Sequence, residues 1–185
     1  MALSKIDIEN MVTGELTTTN GGTGATSFSP GISMASQWRL NSTFTGDAKP
    51  ITSNWELNDT TGYASLGSNM TQSSGVFTFP STGFYLITFN CTWYYGGDSR
   101  WVEGSIDTTV NGSDFTTASE GYHHIEQAES GNTYSSSSTQ IVFDVTNTST
   151  HKVRFGSRVN NDSTTTYASS GIQATGVTFV RLGDT

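Results

Sequence analysis

The stretch 75-GVFTFPSTGFYLITFNCTWYY-95 decides the fold. From Gly83 onward it reads with period 2: Tyr85, Ile87, Phe89, Cys91, Trp93 and Tyr95 fall on one face in a nearly unbroken apolar row. The other face opens apolar at Phe84 and Leu86, then turns polar at Thr88, Asn90 and Thr92. This pattern predicts one long strand, buried on one side throughout and on both sides at its start. Val76 to Phe79 reads as a short strand before it, and Pro80-Ser81-Thr82-Gly83 carries turn chemistry. The two runs therefore predict a hairpin at the centre of a β-sandwich.

Composition extends this reading to the whole chain. Among 185 residues are 31 Thr, 26 Ser and 20 Gly but only 13% charged residues, a balance that favours strands and turns over helical bundles. The length suits one well-buried domain with a short appendage. A formal charge of −8, with Lys and Arg scattered, argues against nucleic acid as a partner. No apolar run approaches the roughly 20 residues that cross a bilayer, so no membrane insertion is expected. The opening MALSKIDIEN lacks the basic start and apolar core of a secretory signal, and a soluble protein is expected. The single cysteine, Cys91, sits in the inward row and reads as a core thiol. Seven Asn-X-Ser/Thr triplets are read as unmodified products of a Ser/Thr-rich composition.

Residues 1–19 place Ile6, Ile8, Met11, Val12 and Leu16 in a segment too short for its own core, which is expected to dock on something else. Residues 20–35 are a linker by composition. Strands are expected from residue 36, with Trp38 and Leu40 alternating against Gln37, Arg39 and Asn41, then at Trp55-Glu56-Leu57. The segment 58–74 is polar, with Tyr63 and Leu66 as expected core anchors. After the break at Gly96 to Arg100, Val102, Ile106 and Val110 share a face. Asn111-Gly112 is a strong hairpin signal, and Phe115 lies on the returning arm. Residues 119–138 read as a long exposed loop. Ile141, Phe143 and Val145 resume the alternation, followed by Val153 to Val159 and a closing strand from Gly176 to Leu182.

Two resemblances sharpen this picture. Asn20-Gly21-Gly22-Thr23-Gly24-Ala25-Thr26-Ser27 resembles the NGGTGAT-type segment of bacteriophage tail-fibre and other virion appendage proteins. Gly75-Val76-Phe77-Thr78-Phe79-Pro80 with Gly83 to Phe89 resembles the G-x-F-x-x-P-x-x-G-x-Y-x-(I/F)-x-F core of complement C1q-like domains. Val110-Asn111-Gly112 and Thr175-Gly176-Val177-Thr178-Phe179 resemble that family's N-G turn and closing strand, so the likeness spans about residues 36–183. It implies an all-β jelly roll of about ten strands, C1q/TNF-like, assembling as a homotrimer. Phe84 and Leu86 are the candidate trimer-interface residues, because they extend apolar character to the second face of a strand already committed on its first. One departure from the vertebrate pattern is the absence of collagen-type Gly-X-Y repeats; the phage-type linker stands in their place.

No chemistry of catalysis is read from the chain. His123-His124 with Glu120, Glu126 and Glu129 is the main cluster of ligand-capable residues, but adjacent histidines on a strand are expected to point to opposite sides, and His151 lies apart. No G-x-S-x-G, P-loop or H-E-x-x-H occurs, so no enzyme, catalytic residue or bound metal is expected, although calcium suits the Asn/Asp-rich turns better than zinc. For surface recognition the candidates are Tyr94, Asp98, Arg100, Trp101, Tyr122, His123, His124 and Tyr134, aromatic and polar groups beside turns that suit stacking on sugar rings. The expected protein is thus a phage structural appendage assembled in the host cytoplasm. Its segment 1–19 would bind other virion proteins, and its trimeric head (36–185) would bind a host cell-surface glycan or protein. The alternatives are a decoration or connector-associated structural protein, and a secreted-type C1q-like lectin.

Overall fold

The computed structural model describes residues 31–185, whose compact unit is Ile32–Thr185. The expectations for Ile6, Ile8, Met11, Val12 and Leu16, and for the linker up to residue 30, lie outside the described residues. All the regular structure described is β. In chain order the strands are β1 (Met34–Leu40), β2 (Phe44–Thr45), β3 (Trp55–Leu57), β4 (Thr71–Ser73), β5 (Val76–Thr78) and β6 (Gly83–Tyr95). Then follow β7 (Ser99–Thr109), β8 (Thr116–Ile125), β9 (Thr133–Val145), β10 (Lys152–Val159), β11 (Thr165–Thr166) and β12 (Gly176–Gly183). β1 opens at Met34, before residue 36, because Met34 and Ser36 already alternate inward.

Every pairing is antiparallel, in two sheets packed face to face. In the seven-stranded sheet β6 is flanked by β9 on one side and by β12 then β1 then β3 on the other, with β11 and β2 beside the last turn of β6. The second sheet runs β4-β5-β10-β7-β8. The expected jelly roll is therefore the observed one.

The expected hairpin at its centre is not. β5 pairs with β4 and β10 in the five-stranded sheet, whereas β6 lies in the seven-stranded sheet, so Pro80 to Gly83 is a corner between sheets. The reason lies in the side chains on either side of the corner. Phe77 and Phe79 both point into the core, and Phe79 stacks on Tyr85 at 4.7 Å between ring centres. Two strands whose apolar faces must meet across the core face each other rather than lie side by side.

The inward row of β6 behaves as read. Tyr85, Ile87, Phe89, Cys91 and Trp93 are buried, and Cys91 is a free thiol. Burial pushes that thiol up to about 12, against the smaller opposing pull of hydrogen bonds from Ser157 and Thr175. Phe77 occupies the centre, within 5.2 to 5.5 Å of the rings of Trp38, Trp55, Phe155 and Phe179. Trp38, Trp55 and Phe179 belong to the opposite sheet, so this one ring ties the layers together.

Other expectations are corrected. Residues 119–138 are not a long loop: β8 and β9 fill most of it, leaving only the connection 126–132. Both are edge strands, and where they face each other the sandwich is thin. Ser119 bonds Thr139, Ser137 Oγ donates to the Gly121 carbonyl at 3.2 Å, and Ser135 meets His123. A Cβ at Gly121 of β8 would stand only 3.3 Å from Ser137 Oγ of β9, so small polar residues replace the apolar alternation that announces a strand elsewhere. Tyr63 and Leu66 are exposed rather than anchors; Met70 fills that role. Val110 lies beyond the end of β7 in the turn and is exposed.

Register defines two ends. Met34 pairs with Arg181, which pairs with Tyr85, so the start of β1 and the start of β6 share one end. The last residues of β6, the first of β7 and the last of β10 share the other, since Val159 pairs with Val102 and Asn161 Nδ2 donates to the Asp98 carbonyl at 3.3 Å. The 13 residues of β6 separate the ends by about 40 Å, at roughly 3.3 Å per residue.

Candidate recognition site

The structure divides the eight candidate recognition residues into two surfaces. Tyr94 and Tyr134 face each other across the β6–β9 ladder, rings 5.3 Å apart, and Tyr167 completes a trio at 6.0 and 5.8 Å. This trio sits on the outer face of the seven-stranded sheet at the end far from Met34. Toward the other end of that face lie Phe84 and, in one transverse row, Ala35, Val180, Leu86 and Val142, paired by register. Phe84 is 40% and Val142 60% exposed. Between these apolar ends the face is polar: Gln37, Thr178, Thr88 and Gln140 share one row, with Gln37 donating to Thr178 at 3.2 Å. Leu86 is half-buried and Phe84 exposed, so the side of β6 expected to be buried at its start is open in the single chain.

The remaining six candidates gather where β7 begins and β8 ends. There the β7–β8 ladder is irregular: Val102 pairs with His123 and Ser99 with Ile125, leaving Arg100 and Trp101 opposite His124 alone. Such a bulge re-aims side chains. It overturns the expectation for the histidines: their rings do not diverge but stack, 5.2 Å apart and 8° from parallel. His123 is held from the inner side by the buried Ser135, whose Oγ is 2.6 Å from Nδ1.

This serine–histidine contact has the form of a nucleophile beside a base, yet its surroundings do not complete a catalytic group. The His124 carbonyl also lies 3.0 Å from the same Nδ1, and among the described residues no carboxylate bonds the ring. Among the described residues no group of three or more His, Cys, Asp and Glu is placed to hold a metal ion.

Asp98, Ser99, Arg100, His124, Ile125 and Glu126 line an open cavity of about 320 Å³. Asp98 Oδ1 accepts the Gln127 backbone N–H at 2.8 Å, which fixes the start of the 126–132 connection. Beside the cavity, Trp101 meets Tyr122 edge-on at 6.4 Å and carries the Arg158 guanidinium 5.3 Å from its ring centre.

Sequence reading missed the charges beneath this aromatic pair. Glu103 is buried on β7, where its carboxylate accepts from Lys49 Nζ at 2.8 Å, Arg158 at 3.1 Å and the Tyr122 hydroxyl at 3.1 Å. Four residues further along β7, Asp107 accepts from Arg154 at 3.2 Å and Thr117 at 2.9 Å. Partial desolvation first, and then the neighbouring Glu103 carboxylate, hold the Tyr122 phenol above its ordinary value. A signal existed: the acids at 103 and 107 and the arginines at 154 and 158 share a spacing of four, and the register sets them opposite each other. Arg39, which the alternation with Trp38 and Leu40 places outward, is fully buried. Its guanidinium donates to Glu56 at 3.2 Å, Asn58 at 2.8 Å and Asp59 at 2.5 Å, as well as to Thr60, under the cover of the segment after β3.

The fold defines a class, a TNF-like jelly roll, and the candidate groups lie on the outer face of one sheet and at one end of the sandwich. Among solved structures, the chain is similar to murine APRIL at pH 5.0, with a TM-score of 0.57 and 12% identity over 80% of this chain and 98% of that one. It is similar also to Eiger TNF from S. frugiperda, with a TM-score of 0.57 and 16% identity over 84% of this chain and 96% of that one. No protein-family model matches the chain. No curated protein is similar to it in sequence.

Proposed function

We propose that this chain is a non-enzymatic structural appendage of a bacteriophage particle whose head domain trimerises and binds a glycan on the host surface. The observation that carries this reading is that the apolar row and the aromatic-polar cluster lie on different surfaces. The outer face of the seven-stranded sheet, with Phe84, Leu86, Val142 and Val180 at one end and the tyrosine trio at the other, can be covered by further copies. The cluster around Arg100 and Trp101 belongs to the five-stranded sheet and stays open in such an assembly. The TNF-like fold supports the trimer, and the segment Asn20 to Ser27 supports the phage setting. Three copies present three equal sites, so weak single contacts add through multivalency.

Light scattering of the full chain tests the assembly. It is expected to give three times the 19.8 kDa chain mass, falling to one chain in the double variant Leu86→Glu with Val142→Glu. A monomeric wild type overturns the trimer. Fluorescently labelled protein is expected to decorate host cells; a trimer that ignores cells but binds particles lacking it overturns the adhesin in favour of a decoration protein.

A further inference from the structure

We infer that the cavity between the start of β7 and the end of β8 binds an acidic monosaccharide unit, its carboxylate held by Arg100; this rests on the reading of that end as the recognition surface. The first argument is the state of the cations. Arg39, Lys49, Lys152, Arg154, Arg158 and Arg181 all donate to protein oxygens. Arg100, exposed and lining the cavity, is the one arginine or lysine among the described residues that bonds to none. In a chain of net charge −8 an unpaired guanidinium keeps its planar fork of donors open to a carboxylate.

The second argument concerns what else the cavity offers. Glu126 on its rim accepts hydrogen bonds but donates none. Sulfate has no donor to give it, and phosphate brings at most one or two P–OH groups with up to two negative charges against Glu126 and Asp98, where a sugar acid brings a single charge and several hydroxyls. A sugar acid has both halves of the match, a carboxylate for Arg100 and hydroxyl donors for Glu126. Buried Ile125 closes the floor of the cavity, and the exposed His124 ring is set in place by its stack on His123, itself fixed by Ser135. Pre-set side chains lower the ordering cost of binding. The volume, about 320 Å³, is at the small end of ligand cavities and suits one sugar unit rather than a chain.

The test uses the full chain with four probes: N-acetylneuraminic acid, glucuronic acid, neutral N-acetylglucosamine and inorganic phosphate, followed by amide chemical shifts and calorimetry. One or both acids are expected to bind with millimolar affinity and to shift Ser99, His124 and Glu126. Arg100→Ala is expected to weaken binding at least tenfold and Arg100→Lys to recover part of it, with the circular dichroism spectrum and solution mass of both variants unchanged. The inference is overturned if no probe binds, if the neutral sugar or phosphate binds as tightly as the acids, if the shifts map elsewhere, or if Arg100→Ala changes nothing. Host-cell binding that survives Arg100→Ala also overturns it for the natural receptor while leaving the adhesin reading standing. Acid binding by a head that ignores all cells supports the inference and sinks the adhesin reading instead.

Discussion

Replacing Phe77 with Ala removes the ring on which both sheets converge. The side chain is fully buried and touches four aromatic rings, three of them from the opposite sheet. Truncating a buried Phe costs about 3–5 kcal/mol, and each well-placed aromatic pair adds about 0.5–1.5 kcal/mol beyond burial. With four such pairs the loss should fall at the top of that range, about 5 kcal/mol, a large share of the roughly 5–15 kcal/mol that holds a domain together. For a domain of this size each kcal/mol moves the midpoint by about 2–4 °C, so Tm should drop by about 10–20 °C. Phe77→Leu should cost less than half as much. The assay is thermal and urea unfolding at one fixed protein concentration, because assembly makes Tm depend on concentration. A loss below about 2 kcal/mol with an unchanged urea slope would refute this account of the core.

Arg39→Ala should destabilise by about 2–4 kcal/mol by stranding Glu56 and Asn58 under their cover, whereas Asp59→Asn, at a site open to solvent, should cost under about 1 kcal/mol; equal urea midpoints for the two variants would contradict this. Cys91 should react with a disulfide reagent at pH 8 only as fast as the protein unfolds, and fast labelling of folded protein would place the thiol elsewhere. Because its folded value is raised from 9.0 to about 12, the stabilisation it contributes is complete below pH 9 and is lost as pH rises toward 12. Wild-type stability should therefore fall more steeply than that of Cys91→Ala, by up to about 1.4 kcal/mol per pH unit in that window; parallel pH curves would refute it.

The jelly roll was legible because its central strands carry large inward side chains two residues apart: β6 alternates along almost its whole length, and β10 and β12 do so at Val153 and Phe155 and at Val177 and Phe179. β3 was legible from three residues, because Trp55 and Leu57 flank a charge. β8 and β9 were not, since an edge strand facing another across a thin part of the sandwich needs Ser and Gly where other strands need Val and Phe. The partner of β5 was also hidden, because local sequence marks the turn at Pro80 but not whether the chain leaves it in the same sheet. At the candidate site the residue types could be named from turns and aromatic neighbours. Their grouping could not: it depends on a bulge that turns His124 onto His123 and on a ladder that sends Tyr94 and Tyr134 to another face.

The connections 96–98 and 126–132 each step from one sheet to the other at the end far from Met34, and their roots are clamped by the long β6–β9 and β7–β8 ladders. Little of the core depends on what lies between those roots, since Gly96, Asp98 and Glu126 to Asn132 are all exposed. Evolution can therefore rewrite these two short segments, in length as well as sequence, with small consequence for folding. The far end of the sandwich works as an exchangeable tip: descendants of one stable body can be fitted to different targets by a handful of substitutions, and an engineer grafting a new binding loop would begin there.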